Sequence, residues 1–257
     1  MNDCSRPVLE SLEFRRHLSA TIEDGVLVVT GTRRADRMEL YIADDRRPDR
    51  LVVRDKGHEY RFDPTRIKRI RVELGTGDDE VIFSIVNPPA DSGWTPATRK
   101  LPIDIPATVR GGAGNDSMNG SNAGSLLDGG AGNDGLYALN GNDTLLGGDG
   151  DDRLDGMAGN DVLRGGAGRD LLMGREGDDV LQGDGGNDTL YGSEGDDRLE
   201  GGPGSDELDG GGGRDHVYGN RGTDTFLSFD SRSERKDIDR GEPIFTPEPV
   251  DPISVIF

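Results

Sequence analysis

The chain has 257 residues, of which 32% are hydrophobic and 31% are charged, so its composition resembles that of a disordered protein. A formal net charge of −20 argues against nucleic acid or an anionic membrane as a partner and favours cations. The single cysteine, Cys4, excludes an intramolecular disulfide. No apolar run reaches the length of a transmembrane helix, so we expect no membrane insertion.

The N-terminal sequence MNDCSRPVLESLEFRRHLSA lacks the apolar core of a secretory signal peptide. Its second half resembles the short LEPR-xLLS-type element at the start of many predicted exported proteins of planctomycete bacteria, although Phe14 replaces the usual proline and His17 interrupts the expected apolar run. We predict a flexible sorting-like segment over residues 1–19, with an ordinary amphipathic terminus as the alternative. The resemblance is carried by Leu9, Glu10, Leu12, Glu13, Arg15, Leu18, Ser19 and Ala20.

Residues 20–110 contain short runs typical of β-strands, namely GVLVVTG, RLVVRD, EYRFD and RIKRIRVEL, and no convincing helical period. Toward the end of this region the segment NPPADSGWTPATRKLPIDIPA contains five prolines and is predicted to be a loop. Trp94, within that loop, is expected to pack rather than to bind a ligand.

Residues 111–227 consist of thirteen nine-residue units without an insertion. Position one is Gly in twelve units, position four is Gly in twelve, and position six is Asp in twelve, with Ser125 as its exception. Position eight is apolar in all thirteen units. This repeat block carries 24 acidic residues against seven arginines, so it holds most of the net charge.

Each repeated position has a physical interpretation. Glycine supplies the positive φ and the close backbone approach of a tight turn, for which we assign six of the nine residues. The last three residues are predicted to form a short strand whose position-eight side chain points inward. Because so short a strand is unstable alone, the units must stack in register and bury a ladder of position-eight residues.

Position two differs between odd and even units, which gives a second period of eighteen residues. This period predicts two nonapeptides per turn and two facing parallel sheets, so thirteen units make six and a half turns. At a strand spacing of about 4.8 Å the block would be roughly 30 Å long. The predicted fold is therefore an all-β parallel β-roll, or β-solenoid.

Stacking with this period places each Asp over the Asp eighteen residues later, for example Asp134 over Asp152. Two bare carboxylates at that spacing would repel by about 3 kcal/mol at an effective dielectric of 20, so a column of them needs cations. Ca²⁺ takes six to eight oxygen ligands and suits carboxylates with turn carbonyls better than Mg²⁺, and the lack of ligating His or Cys disfavours zinc. We estimate about ten Ca²⁺ sites as an upper limit.

The candidate ligands follow from the repeat positions. The carboxylates are those of Asp116, Asp134, Asp143, Asp152, Asp161, Asp170, Asp179, Asp188, Asp197, Asp206, Asp215 and Asp224. The candidate backbone carbonyls lie near Gly129, Gly132, Gly147, Gly150, Gly165, Gly168, Gly183, Gly186, Gly201 and Gly204.

The unit GGAGNDGLY, residues 129–137, closely resembles the nonapeptide GGxGxDxUx of RTX (repeats-in-toxin) proteins. The resemblance covers residues 111–227. It implies a right-handed parallel β-roll that a bacterium secretes, that is disordered without Ca²⁺ and that folds when Ca²⁺ binds.

The flanks of the block carry weaker signals. Residues 20–110 contain two echoes of the repeat, GTRRADRM and GTGDDEVIF, and we predict that they form degenerate coils that cap the roll, since an open solenoid end exposes strand edges and core. A separate small β-domain is the alternative. Residues 228–257 are predicted to be a C-terminal cap and a proline-rich tail. The terminal SVIF resembles the tail of many RTX proteins exported through type I secretion, and a frayed terminus explains it nearly as well. The echoes carry Gly31, Asp36 and Met38 in the first, and Gly75, Gly77, Asp79 and Val81 in the second.

No catalytic motif is present: there is no HExxH, G-x-S-x-G or P-loop, and the nine-residue spacing explains the carboxylates without a glycosidase pair. We therefore expect a non-enzymatic, extracellular or cell-surface protein that acts as a Ca²⁺-folded structural module. A Ca²⁺-dependent adhesin for a surface, matrix or glycan ligand is the alternative, and an accessory module of a secreted hydrolase is a weaker one. Ice binding is disfavoured because position three lacks a regular Thr or Asn row.

Overall fold

The computed structural model describes residues 18–44, 50–83, 99–101, 103–227 and 234–235. In these ranges the chain forms β-strands and one short 3-10 helix, Pro64–Arg66, which confirms the all-β prediction. None of the helices found there is long and apolar enough to cross a membrane. Most of the sorting-like segment, the loop around Trp94 and the proline-rich tail lie outside the described residues.

The strands before the repeat block are β1 Ser19–Glu23, β2 Val26–Thr30, β3 Arg37–Asp44, β4 Arg50–Asp55, β5 His58–Phe62, β6 Arg69–Thr76, β7 Glu80–Phe83 and β8 Arg99–Leu101. The following strands are β9 Ala107–Ala113, β10 Ser117–Asn119, β11 Ser125–Ala131, β12 Gly135–Tyr137, β13 Thr144–Asp149, β14 Arg153–Ala158, β15 Val162–Ala167 and β16 Leu171–Glu176. The last are β17 Val180–Gly185, β18 Thr189–Glu194, β19 Arg198–Gly204, β20 Glu207–Gly212, β21 His216–Gly222, β22 Thr225–Phe226 and β23 Glu234–Arg235.

Successive strands of the repeat block alternate between two sheets. Within the described part of the chain, the first sheet has eleven strands in the order β1-β2-β6-β9-β11-β13-β15-β17-β19-β21-β23. The second has twelve in the order β22-β20-β18-β16-β14-β12-β10-β7-β3-β4-β5, with β8 beside β3. Pairing within the block is parallel with a register of eighteen residues, as in Leu145↔Leu163 and Leu154↔Leu172. Two nonapeptides per turn, predicted from position two, is therefore confirmed.

The core is a ladder of position-eight side chains, as the repeat predicted. From Met118 to Val217 each of these side chains is fully buried, and Phe226 packs against them as a partly buried residue. Side chains of the two sheets form one cluster, which continues into the N-terminal coils through Val81, Val72 and Leu27. A thin core of this kind buries about one large apolar side chain per nine residues, and this burial stabilises the fold despite the low hydrophobic content of the chain.

The strands are longer than the sequence predicted. In the regular units they span six residues, from position seven of one unit to position three of the next, as in β15 and β16. Positions one to three pair with the next coil as well, for instance Gly148↔Gly166, and this pairing satisfies their backbone groups. The predicted six-residue turn with a three-residue strand was therefore wrong, and the turn is limited to positions four to six.

The strands of residues 20–110 lie in the same two sheets as the repeat block. β6 pairs with β9 in parallel, and Gly75 of β6 aligns with Gly112 of the first unit. In the second sheet β7 pairs in parallel with both β3 and β10. The antiparallel pairs β1–β2, β3–β4 and β4–β5 lie at the N-terminal end of each sheet.

Candidate metal centre

The twelve predicted aspartates lie in two columns, one for each parity of unit. We call the first the odd column, and it contains Asp116, Asp134, Asp152, Asp170, Asp188, Asp206 and Asp224. The second, the even column, contains Asp143, Asp161, Asp179, Asp197 and Asp215. All of them are buried except Asp224, which is partly buried. The fold therefore brings every predicted carboxylate into a stack of like charges.

Within each column one carboxylate oxygen has a fixed backbone partner. The N–H of Asp134 donates to Oδ1 of Asp152 at 2.7 Å, and the N–H of Asp152 donates to Oδ1 of Asp170 at 2.8 Å. The same bond joins every adjacent pair of both columns, at 2.7 to 3.1 Å. Each aspartate thus fixes the turn of the preceding coil.

The second carboxylate oxygen differs from the first in most of these aspartates. Oδ2 is buried and accepts no hydrogen bond in ten of the eleven buried aspartates of the two columns. An unsatisfied buried oxygen costs about 1–3 kcal/mol, and more when it is charged, so ten such atoms in one small fold favour the binding of cations. The ten are Asp116, Asp134, Asp143, Asp152, Asp161, Asp170, Asp179, Asp188, Asp197 and Asp206.

Burial also disfavours the charged form of these groups. Loss of solvation raises the pKa of Asp143, Asp179 and Asp188 to about 7, against a lowering effect of their backbone hydrogen bonds. The same cause raises the pKa to about 6 for Asp152 and Asp170. For Asp152 the carboxylate of Asp170 adds to the rise. The pKa is likewise raised to about 6 in Asp134, Asp161, Asp197 and Asp206.

The position-one glycines make room for the unpartnered oxygens. A Cβ at Gly129 would overlap Oδ2 of Asp134 and would lie 2.7 Å from the carbonyl oxygen of Gly147. The carboxylate oxygen and the carbonyl oxygen of the next coil therefore both lie beside Gly129, where no side chain fits. This is one of the two sets of carbonyls that the sequence assigned.

The position-four carbonyls, the second assigned set, also point toward the next coil. A Cβ at Gly150 would overlap the carbonyl oxygen of Gly132, and Gly150 itself has a φ of +132°. The position-two carbonyls, which the sequence analysis did not assign, do the same, since a Cβ at Gly148 would overlap the carbonyl oxygen of Gly130. Glycine in these columns allows carbonyl oxygens to approach closely along the roll.

Position five forms a second ladder that sequence reasoning missed. The N–H of Asn133 donates to Oδ1 of Asn115 at 2.8 Å, and the N–H of Asp151 donates to Oδ1 of Asn133 at 2.9 Å. These bonds run opposite to those of position six, so neighbouring turns hold each other reciprocally. The available signal was Asn or Asp at position five in eight of the thirteen units.

The odd column continues beyond the repeat block, which the sequence analysis also did not assign. The N–H of Asp79 donates to Oδ1 of Asp116 at 2.8 Å, and the N–H of Asp36 donates to Oδ1 of Asp79 at 2.6 Å. Burial raises the pKa of Asp79 to about 7. The even column instead ends at Ser125, whose N–H donates to Asp143.

The donor set fits a hard cation. Across the described residues no three His, Cys, Asp or Glu side chains group around a common point, so an ion would take many of its ligands from backbone carbonyls. The surroundings of the unpartnered Oδ2 atoms offer oxygens, and His216 is exposed on β21. Surroundings that offer oxygen ligands suit Ca²⁺ rather than zinc.

A family model of the RTX calcium-binding nonapeptide repeat, in four copies, matches this chain. The matched segments overlap and together span residues 110–226. They are 110–145, 137–172, 146–181, 164–199, 173–208 and 191–226. The match confirms the resemblance inferred from the nonapeptides, and it does not extend to the sorting-like segment. No curated protein matches the chain.

Proposed function

We propose that this chain, whose residues 110–226 are RTX calcium-binding nonapeptide repeats, is a secreted bacterial module that folds on binding several Ca²⁺ ions. Outside the cell it acts as a structural or surface-associated protein. The observation that carries the proposal is the set of ten buried Oδ2 atoms without a hydrogen-bond partner.

The proposed ligands are the carboxylates of adjacent aspartates in one column together with turn carbonyls. The odd column contains six adjacent pairs and the even column four, which gives about ten sites. When bound, Ca²⁺ supplies the positive charge that the columns lack. The backbone N–H groups hold Oδ1, so the chain's own contribution is to orient Oδ2 before the ion arrives.

Binding is coupled to folding in this proposal. The columns exist only when coils are stacked, so the binding free energy of the ions stabilises the fold. Extracellular Ca²⁺ modules bind at roughly 10⁻⁴ to 10⁻³ M, which leaves the chain loose at cytosolic Ca²⁺ and ordered after export. An extracellular or cell-surface location follows from this coupling as part of the proposal.

The strands of residues 20–110 are proposed to cap the N-terminal end of the roll. Their place in the same two sheets supports this role over a separate domain. We assign no catalytic role, since the buried carboxylates are engaged in the column ladders. The adhesin and hydrolase-module hypotheses stay as alternatives, and both would use the same Ca²⁺-folded roll.

Far-ultraviolet circular dichroism of the full chain tests the proposal. We expect a coil spectrum after removal of Ca²⁺ by chelation and a β-spectrum on addition of millimolar Ca²⁺. Mg²⁺ at the same concentration is the control and should be much less effective, because it requires tighter octahedral geometry. Identical spectra with and without Ca²⁺ would refute calcium-coupled folding.

A further inference from the structure

The turn before the first matched repeat belongs to residues 74–82, which we call the N-terminal coil. We infer that this coil and the first nonapeptide hold a further Ca²⁺ site between them, with the carboxylates of Asp79 and Asp116 and the turn carbonyls of Gly75 and Gly77 as ligands. The inference rests on the proposed function, because it extends the same kind of site into a segment outside residues 110–226.

The first support is the hydrogen bonding of the two position-six residues. The N–H of Asp79 donates to Oδ1 of Asp116 at 2.8 Å, and the N–H of Asp116 donates to Oδ1 of Asp134 at 2.7 Å. One residue further on, the N–H of Ser117 donates to the carbonyl of Asp79 at 2.8 Å, and the N–H of Gly135 donates to that of Asp116 at 2.8 Å. The hydrogen bonds between the N-terminal coil and the first unit are therefore the same as those between the first unit and the third.

Positions four and five repeat the same geometry. The N–H of Asn115 donates to Oδ1 of Asp78 at 2.8 Å, which equals the bond from Asn133 to Asn115. The N–H of Gly77 donates to the carbonyl of Ala113 at 2.7 Å. Inside the block the matching bond, from Gly114 to Ala131, is 2.8 Å. The hydrogen bonds of positions five and six, which run in opposite directions between neighbouring turns, are thus both present at this junction.

The second, independent support is the unpartnered oxygen of Asp79. Its side chain is buried, with 2% exposure, and Oδ2 accepts no hydrogen bond. Oδ2 of Asp116 is in the same state. The carbonyl oxygens of Gly75 and Gly77 approach so closely that a Cβ at Gly112 or Gly114 would overlap them. The junction therefore has both the oxygen donors and the uncompensated buried charge of the repeat sites.

The sequence hides this site for two reasons. Gly75 and Gly112 pair across 37 residues instead of eighteen, because residues 84–106 stand between β7 and β9 in the sequence. In addition, position one of the N-terminal coil is the buried Leu74 instead of Gly. A pattern with a fixed spacing and a fixed position-one glycine therefore begins only at the first regular unit.

The column ends one coil earlier, where Asp36 has partners of its own. Oδ2 of Asp36 accepts from the N–H of Thr32 at 2.6 Å, and Oδ1 accepts from the Thr32 hydroxyl at 3.1 Å. The ammonium of Lys56 lies 3.5 Å from Oδ1. Both carboxylate oxygens of Asp36 therefore accept hydrogen bonds from the protein, and Lys56 supplies a positive charge. We therefore place the last ion of the odd column between Asp79 and Asp116.

The test counts Ca²⁺ ions bound to the full chain by equilibrium dialysis at saturating Ca²⁺, with folding followed by circular dichroism. If each adjacent pair shares an ion, an end residue of the column contributes to one site and an inner residue to two. We expect Asp79→Asn to lose one ion and Asp116→Asn to lose two. Asp224→Asn, at position six of the last regular unit, is the matched control and should lose one.

Two outcomes separate the inference from the proposed function. If Asp116→Asn loses one ion, as Asp224→Asn does, and Asp79→Asn loses none, the further site does not exist while the repeat sites stand. If no variant changes the count, the proposed function itself fails. Should Asp79→Asn not reach the folded spectrum, the comparison of Asp116→Asn with Asp224→Asn decides the question alone: a loss of two supports the site and a loss of one overturns it.

Discussion

The backbone N–H of Asp152 donates a hydrogen bond of 2.8 Å to Oδ1 of Asp170, while Oδ2 of Asp170 is buried without a partner. One carboxylate therefore both fixes the turn of the preceding coil and presents a buried, uncompensated oxygen. The first role needs only an acceptor atom, whereas the second needs a positive charge nearby. Because the two roles depend on different properties of the side chain, a substitution can remove one role and keep the other.

Asp170→Asn should remove the two Ca²⁺ sites to which Asp170 contributes while retaining the turn. Asparagine keeps the Oδ1 acceptor but loses the charge, so we expect about two fewer bound ions and a higher Ca²⁺ midpoint of folding. The Ca²⁺-free chain should become easier to fold, because a buried charge is gone. Equilibrium dialysis and a circular dichroism titration measure both effects.

The matched control for Asp170→Asn is Asp149→Asn. This variant removes the same charge at an exposed position three of the repeat block. It should leave the ion count unchanged. Equal ion counts for Asp170→Asn and the wild-type chain would show that position six does not ligate calcium.

The Ca²⁺-free chain should respond to pH in the opposite direction from the Ca²⁺-bound chain. Burial raises the pKa of Asp143 and Asp188 to about 7 in the folded state, whereas an unfolded Asp titrates near 4. Between these values the folded state binds more protons, so its stability rises as pH falls from about 7 to about 4. Above pH 7 both carboxyl groups are ionised in the folded state, so the full cost of burying their charges destabilises the Ca²⁺-free fold.

With Ca²⁺ bound, protons compete with the ions, so lowering the pH over the same range should destabilise the fold. The β-signal in far-ultraviolet circular dichroism as a function of pH in Ca²⁺-depleted buffer measures the first trend, and thermal unfolding in millimolar Ca²⁺ measures the second. Parallel trends in the two buffers would contradict a cation at the buried carboxylates.

Gly150→Ala should disrupt the approach between coils. Its Cβ would overlap the carbonyl oxygen of Gly132, and its φ of +132° is unfavourable for alanine. We expect a loss of about 1–3 kcal/mol in the free energy of unfolding at saturating Ca²⁺ and a higher Ca²⁺ midpoint. Denaturant titration measures the first effect and a Ca²⁺ titration the second.

The control for Gly150→Ala is Gly185→Ala, at position three. The nearest atom to a Cβ there is the carbonyl oxygen of Gly166 at 3.7 Å, which is an ordinary contact. This variant should be neutral or stabilising by up to about 1 kcal/mol, since alanine reduces the freedom of the unfolded chain. Similar losses for both glycines would argue against a role of the position-four column.

Leu163→Ala should show how much the thin apolar ladder contributes. Leu163 is fully buried between Leu145 and Leu181 of the neighbouring coils, so we expect a loss of about 2–5 kcal/mol at saturating Ca²⁺. Val162→Ala, at a side chain 37% exposed in the same strand, should cost less than about 1 kcal/mol. Chemical denaturation of both variants measures the difference, and equal losses would contradict an inward position eight.

Much of this fold could be predicted because identical units can stack only in register. Once position eight is apolar in every unit, as at Leu154 and Leu172, the ladder of the core follows. The period of eighteen at position two then assigns odd and even units to separate sheets. The two aspartate columns are a direct consequence of that stacking.

Other features depend on the offset between coils, which a repeat pattern does not contain. Position six of one coil accepts from the preceding coil, as Asp170 does from Asp152, whereas position five accepts from the following one, as Asn115 does from Asn133. The strands extend through positions one to three because the neighbouring coil satisfies their backbone groups. Only the assembled roll decides these partners.

The place of Asp79 shows the same division most clearly. The sequence by itself determined that Asp79 occupies a position-six echo, because the order of glycine, aspartate and valine around it is local. Only the tertiary structure placed Asp79 next to Asp116, since their separation of 37 residues breaks the regular spacing of eighteen. Local order specifies the turn, and long-range pairing specifies which turn it meets.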